Sequence, residues 1–184
     1  MKNNFLKLIT YILINICIFN YLYAEDELSF DITEIDIIEN GNVILGSKGG
    51  KAVTQDGFKI IAENFLYNKL TNILDAYGDV KLISQQDGII IFADKATYLK
   101  NDEIIFTEGN SKAINEIYEI TATQFKFKKK INILEARQNV KFVDKKDNTF
   151  IFSDKATYLK NDEIIFTEGN TKALVDNKIN FESE

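Results

Sequence analysis

The sequence contains no proline, histidine or tryptophan, and its only cysteine, Cys17, lies near the N-terminus. With one cysteine the chain forms no internal disulfide, so its stability must come from hydrogen-bonded structure and a buried core. Histidine is the usual general base at neutral pH, and without it acid–base catalysis would need a pair of carboxylates. Asp94 and Asp154 recur at equivalent positions, but we interpret them as solvated charges. The sequence therefore disfavours an enzyme and predicts no catalytic residue.

Acidic residues outnumber basic ones by 28 to 22, which gives a formal net charge of −6. The only compact basic run, at residues 128–130, is too small for a nucleic-acid partner. An anionic ligand would have to be held by its apolar part. We interpret the basic run as solvated charge, with contact to a lipid phosphate as the alternative.

We expect no cofactor and no metal site. Two groups of oxygen-bearing side chains lack the spacing of an EF-hand loop. They are Glu34, Asp36, Glu39, Asn40 and Asn42, and Asp144, Asp147 and Asn148.

The first 24 residues have the pattern of a secretory signal peptide. Lys2 and Lys7 precede an apolar run at residues 8–22, and Ala24 stands at a cleavage position before the acidic residues 25–27. An uncleaved inner-membrane anchor is the alternative, although the run is slightly short for a membrane span. We predict a signal peptide at residues 1–24 and a single domain at residues 25–184.

The chain repeats itself. Residues 92–113 (FADKATYLKNDEIIFTEGNSKA) return as residues 152–173 with only two changes, Ala93 to Ser153 and Ser111 to Thr171. Each sixty-residue period splits into two copies of about thirty, and residues 60–80, 91–111 and 120–140 align with one another. Such self-similarity is typical of stacked repeat architectures. It favours a surface or a groove over a catalytic centre.

Alternation of apolar and polar residues, with turn signals at short spacing, predicts an all-β domain. In the second half of each unit one face is apolar or small and the other is mostly charged. In the first half the alternation breaks, for example between Ala93 and Ala96 around Asp94 and Lys95. We predict a β-bulge at each break, which turns two adjacent polar residues outward. A strand exposed on both sides is the alternative.

The predicted inner face is apolar. It consists of Phe65, Tyr67, Leu74, Ala76, Val80, Ile91, Ala93, Ala96, Tyr98, Ile105, Phe125, Phe127, Leu134, Val140, Ala156, Tyr158 and Ile165. A packed core and an open apolar trough use the same residues, and composition alone favours the core.

A strand ending in Ala-Asp, followed by a tyrosine and a Gly-Asn/Asp-Val turn, recurs through the chain. The matching residues are Ala62-Glu63, Tyr67 and Gly78-Asp79-Val80; Ala93-Asp94, Tyr98 and Gly109-Asn110; Ala122, Phe127 and Asn139-Val140; and Gly41-Asn42-Val43. In this pattern residues 28–175 resemble the OstA-like lipopolysaccharide-transport family, which includes LptA and the N-terminal domain of the lipopolysaccharide-assembly protein LptD. The ordered repetition carries the resemblance, because each motif alone has little specificity.

The resemblance implies an open β-jellyroll built from repeated antiparallel units. It also implies that the inner face holds the lipid A acyl chains of lipopolysaccharide, so that the seventeen residues above line a lipid path. The implied partners are other jellyroll Lpt proteins, or further copies of this chain, stacked end to end through their edge strands. The implied location is the periplasm, with association to the outer membrane as an option.

The sequence departs from LptD, whose C-terminal barrel and cysteines are missing. The expectation is therefore an LptA-like protein or a truncated N-terminal domain of LptD. A membrane-anchored LptC-like subunit is the alternative if residues 1–24 are retained. The rival from another class is a structural β-repeat scaffold of the envelope, which carries no lipid and has a dry, fully packed inner seam.

Overall fold

A computed structural model describes residues 28–55, 57–86, 88–175 and 178–183, so the predicted signal peptide lies outside the described residues. It contains two short 3₁₀ turns, Glu39–Gly41 and Lys129–Ile131, and no described helix is long and apolar enough to span a membrane. The strands are β1 (Ser29–Ile38), β2 (Val43–Val53), β3 (Lys59–Ala62), β4 (Asn64–Asn68), β5 (Ile73–Ser84), β6 (Ile89–Leu99), β7 (Ile104–Ile114), β8 (Tyr118–Lys128), β9 (Ile133–Asp144), β10 (Thr149–Leu159), β11 (Ile164–Glu168), β12 (Thr171–Val175) and β13 (Lys178–Ser183).

All strands belong to one antiparallel meander. Long strands pair with their neighbours in chain order, from β1 at one end to β13 at the other. β3 and β4 are two halves of one long strand, and both pair with β2 and β5. β11 and β12 divide in the same way, and both pair with β10. This arrangement follows from the short turns, which allow only antiparallel neighbours.

The sheet folds over on itself. Phe142 is paired across the strands with Ile151, yet its ring centroid lies 6.1 Å from that of Tyr158, seven positions further along β10. In a straight strand seven residues would span about 23 Å. The two halves of the sheet therefore face each other as two layers.

We call the half of the sheet that ends in the connections following β2, β5, β7 and β9 the first layer. The half that ends in the turns at residues 39–42, 69–72, 100–103, 129–132 and 160–163 is the second layer. The line where the strands bend between the layers is the fold line.

Pairs of residues with left-handed backbone make the fold line. They are Lys48 and Gly49, Gly78 and Asp79, Gly109 and Asn110, Gln138 and Asn139, and Gly169 and Asn170, all with positive φ. Between the pairs Tyr77–Lys95 and Val80–Ala93, two residues of β5 stand opposite one residue of β6. The register therefore shifts by one residue at this level of the sheet, as in a β-bulge.

The predicted breaks in alternation lie at the fold line. Asp94 and Lys95 are both exposed, while Ala93 and Ala96 on either side are buried, as expected. The predicted position of the extra residue was wrong, however. It lies on the neighbouring strand, in the left-handed pair, because Gly, Asn and Asp tolerate a positive φ better than the residues beside Asp94.

Candidate functional site: the inner face of the folded sheet

The seventeen residues predicted to form the inner face all lie between the two layers. Sixteen are buried, and Ile165 is partly buried against the same core. The first halves of the units contribute large side chains such as Phe65 and Phe127, both 1% exposed, and the second halves contribute smaller ones such as Ala76. Their inward orientation follows from strand alternation, which the left-handed pairs restore after each bend.

Further residues beyond these seventeen share this face. They are Ala52, Phe58, Ile60, Ala62, Leu82, Ile89, Ala113, Tyr118, Ile120, Ala122, Ala136 and Phe142, all buried. Most of them follow the same strand alternation that assigned the seventeen residues to the inner face. Phe58 and Tyr118 stand at or just before strand starts, beside turns, where no alternation precedes them.

Aromatic rings join the layers towards the C-terminal end. Tyr118 of the first layer meets Tyr158 of the second edge to face at 4.7 Å between ring centroids, and Phe142 lies 6.0 Å from Tyr118. Burial raises the pKa of Tyr158 above its ordinary value, a hydrogen bond with Tyr118 acts in the opposite direction, and the charges of Glu163 and Asp144 add to the increase. The inner face is closely packed here.

At the N-terminal end the inner face reaches solvent. Ile37 of β1 stands opposite Ile44, which in turn stands opposite Tyr67, so the three share the inner face. Ile37 is nevertheless 62% exposed, because β1 is the edge strand. A cavity of about 210 Å³ opens beside it, lined by Leu28, Phe30, Ile44, Tyr67, Lys69, Asn72 and Lys100. The inner face is therefore accessible to solvent at this end.

The three lysines of the basic run at residues 128–130 have different partners. Lys128 binds Glu135 at 2.6 Å, and Lys130 lies 3.5 Å from Glu103. The Lys128 hydrogen bond lowers the pKa of Glu135, with burial opposing it and Lys126 and Arg137 adding to it. Lys129 lies over aromatic rings of the inner face, so the run is more than a solvated patch.

The outer face mixes charged side chains with aromatic ones such as Phe166, and polar side chains lie at the fold line. Asp94 and Asp154 are exposed there and accept hydrogen bonds from the side-chain amides of Asn110 and Asn170, respectively. These carboxylates therefore hold the bend of the strands. They lie on the opposite side of the sheet from the inner face.

No protein-family model and no curated protein sequence matches the chain. Among solved structures, the fold is similar to the crystal structure of LptH from Pseudomonas aeruginosa, described as the LptA-homologous periplasmic component of the conserved lipopolysaccharide transport device. The TM-score is 0.57 at 11% sequence identity, over 62% of this chain and 84% of LptH. The predicted fold, an open β-jellyroll of the OstA-like type seen in LptA, is confirmed.

Proposed function

We propose that the chain is a non-enzymatic module of lipopolysaccharide transport, which holds acyl chains against its inner face and stacks with other jellyrolls. The observation that carries this proposal is the continuity of the inner face. It runs from β1 to β11 and reaches solvent at the N-terminal edge, around Ile37. An acyl chain needs an apolar path of this kind, because burial of its methylene groups supplies the binding free energy.

The edge strands support end-to-end stacking. Among the described residues, β1 pairs only with β2, and β13 only with β12. β1 exposes Ile35, Ile37 and Ile38, and the second layer ends at β11 with Ile164 and Phe166 exposed. An exposed apolar edge is an aggregation hazard unless a partner strand covers it. Strand addition by another jellyroll, or by a second copy of this chain, would cover the edge and extend the inner face.

The proposed location is the periplasm. We propose that residues 1–24 are the export signal and that residues 25–184 form the jellyroll domain. The likeness to a periplasmic component supports this location, as does the pattern of the first 24 residues. N-terminal sequencing of the exported protein tests the cleavage, and retention of residues 1–24 would favour an anchored, LptC-like subunit.

Site-specific photo-crosslinking tests the lipid path. A benzoylphenylalanine at Tyr98, which is 3% exposed, replaces one inner-face aromatic residue with another. The matched control is the same residue at Lys95, three positions away, whose side chain is 46% exposed on the outer face. In irradiated cells that make lipopolysaccharide, we expect a lipid adduct at position 98 and none at 95. Absence of an adduct at both positions in folded protein would contradict the proposal.

A structural scaffold is the second candidate, and the close contact of Tyr118, Phe142 and Tyr158 between the layers favours it. A scaffold needs a permanently dry interior, whereas a carrier must admit a chain. Lysine in place of Tyr98 distinguishes the two. It should unfold a scaffold, because an unpaired charge in a sealed core is very costly. An openable carrier should remain folded and lose its lipid adducts.

A further inference from the structure

Four of the turns that connect strand ends in the second layer begin with lysine. These residues, Lys69, Lys100, Lys129 and Lys160, occupy the same position in their turns. The backbone N–H of each lysine donates to the carbonyl of the residue that ends the preceding turn, namely Asn42, Asn72, Glu103 and Asn132, at 2.8 to 3.1 Å. This ladder of hydrogen bonds keeps the turns in register. We call the four side chains the lysine row.

The lysine row borders the inner face. Each lysine follows a buried inner-face aromatic residue by two positions and is the first residue beyond the end of that strand. The aromatic residues are Tyr67, Tyr98, Phe127 and Tyr158. Lys69 and Lys100 line the same cavity as Tyr67. The Lys129 ammonium lies 4.9 Å from the ring centre of Phe58 in the first layer and 5.8 Å from that of Tyr98 in the second. The row therefore stands where the two layers meet solvent.

Charges of both signs surround the row, and the lysines that line the cavity are the ones that favour an anion. The fourth position of each turn holds Asn72, Glu103, Asn132 or Glu163, so that four lysines face two carboxylates. Lys130 lies 3.5 Å from Glu103 and offsets its charge. Asp102 and Asp162 also belong to these turns and are exposed at their tips. Together with Lys130 the row places five lysines beside four carboxylates, so the border as a whole is close to neutral. The cavity next to Tyr67 is different, because Lys69 and Lys100 line it and its described lining contains no carboxylate.

We propose that the lysine row binds the anionic headgroup, a phosphate or a carboxylate, of an amphiphile whose chains lie on the inner face. This inference rests on the proposed function. Successive turns are two strands apart, roughly 10 Å, so two neighbouring lysines can reach one phosphate between them. The competing interpretation is that the lysine stems cover apolar surface at the border and recognise no ligand. The expectation that an anionic ligand is held by its apolar part alone would then stand.

Calorimetric titration of the exported chain with two amphiphiles tests the inference. The probes are n-dodecyl phosphate and n-dodecyl maltoside, which share a chain and differ in headgroup charge, each below its critical micelle concentration. Inorganic phosphate is the third probe and reports a headgroup without a chain. We expect dodecyl phosphate to bind about five- to tenfold more tightly than the maltoside at low salt, since each exposed ion pair contributes modestly. Raising the salt concentration should reduce this preference.

Two quadruple variants separate the row from overall charge. K69Q/K100Q/K129Q/K160Q should bring the phosphate-to-maltoside affinity ratio to about one, with the maltoside affinity retained within about twofold, since only the charged contacts are lost. The matched control, K81Q/K112Q/K126Q/K141Q, removes the same charge from the outer face and should keep the wild-type ratio. Circular dichroism verifies that both variants are folded.

Other outcomes overturn the inference. Equal affinity of the wild-type chain for both amphiphiles, or an equal loss of preference in the control variant, would mean that the lysine row recognises no headgroup. Inorganic phosphate binding as tightly as dodecyl phosphate would indicate a free-phosphate site instead. Failure of both amphiphiles to bind would contradict the proposed function itself, and the inference with it. Maltoside binding without a preference for phosphate would contradict the inference alone.

Discussion

Gly109 lies directly against the carboxylate of Asp94 across the fold line, with a φ of +73°. A methyl group at Gly109 would overlap the Asp94 side chain, whose carboxylate accepts a hydrogen bond from Asn110. Gly88 also has a positive φ, +61°, but a methyl group there would meet nothing within 4 Å. Both glycines therefore require a positive φ, but only Gly109 also lies close to another side chain.

We expect Gly109→Ala to destabilise the fold by about 1–2 kcal/mol more than Gly88→Ala. Both variants pay the cost of a positive φ at alanine, but only the first must displace Asp94. Urea denaturation of the two variants measures the difference in the free energy of unfolding. Equal losses would mean that the Asp94 side chain moves away from the fold line without cost.

Leu74 and Leu70 test the packing between the layers. Leu74 is 0% exposed on the inner face, whereas Leu70 is 74% exposed in a neighbouring turn. Leu74→Ala should lower the free energy of unfolding by about 2–5 kcal/mol, because it removes buried methyl groups and leaves a cavity. Leu70→Ala should stay within about 0.5 kcal/mol of the wild type. A small loss at Leu74 would indicate that the layers are loosely packed.

Tyr158 predicts how stability depends on alkaline pH. Its folded pKa is raised above the ordinary value of 10.0, chiefly by burial. The folded state therefore holds this proton more tightly than the unfolded state, and stability falls as pH rises above about 10. Tyr158→Phe should reduce the loss of unfolding free energy between pH 9 and pH 11, roughly the interval in which tyrosine titrates. A loss as large in Tyr158→Phe as in the wild type would contradict this prediction.

We expect the protein to self-associate through the edge strand β1. Lysine at Ile37, which is 62% exposed, places a charge where a partner strand would continue the inner face. We expect the wild type to form larger species as its concentration rises in sedimentation velocity experiments, and the Ile37→Lys variant to remain a monomer. Ile117→Lys is the control, since Ile117 is 46% exposed in a turn of the first layer. Similar behaviour of the two variants would contradict stacking through β1.

The inner face could be predicted from the sequence because its signal is local. Strand alternation assigns each residue to a face, and the repeat presents the same assignment four times, so that errors in one copy are corrected by the others. Tyr67, Tyr98 and Tyr158 were found in this way, and all three are buried. Phe58 and Tyr118 were missed, because each stands beside a turn rather than within an alternating run.

The bend of the strands was only half predicted. Two adjacent polar residues, such as Asp94 and Lys95, indicate a break in alternation. Both of these residues are exposed, as expected. The extra residue lies on the neighbouring strand, at Gly109 and Asn110, and its position depends on register between strands. Register is a property of a strand pair, which the sequence of a single strand does not contain.

Repetition, alternation and composition by themselves determined that this chain is all-β, that it is built from units of about thirty residues, and which residues share the apolar face. Only the tertiary structure decided that the sheet folds over at the left-handed pairs, so that Tyr118 and Tyr158 meet from opposite layers. The tertiary structure also brought four lysines, each about thirty residues from the next, to one border of that face. The reason is that these relationships join residues far apart in the chain, and their proximity depends on how the whole sheet bends rather than on any local pattern.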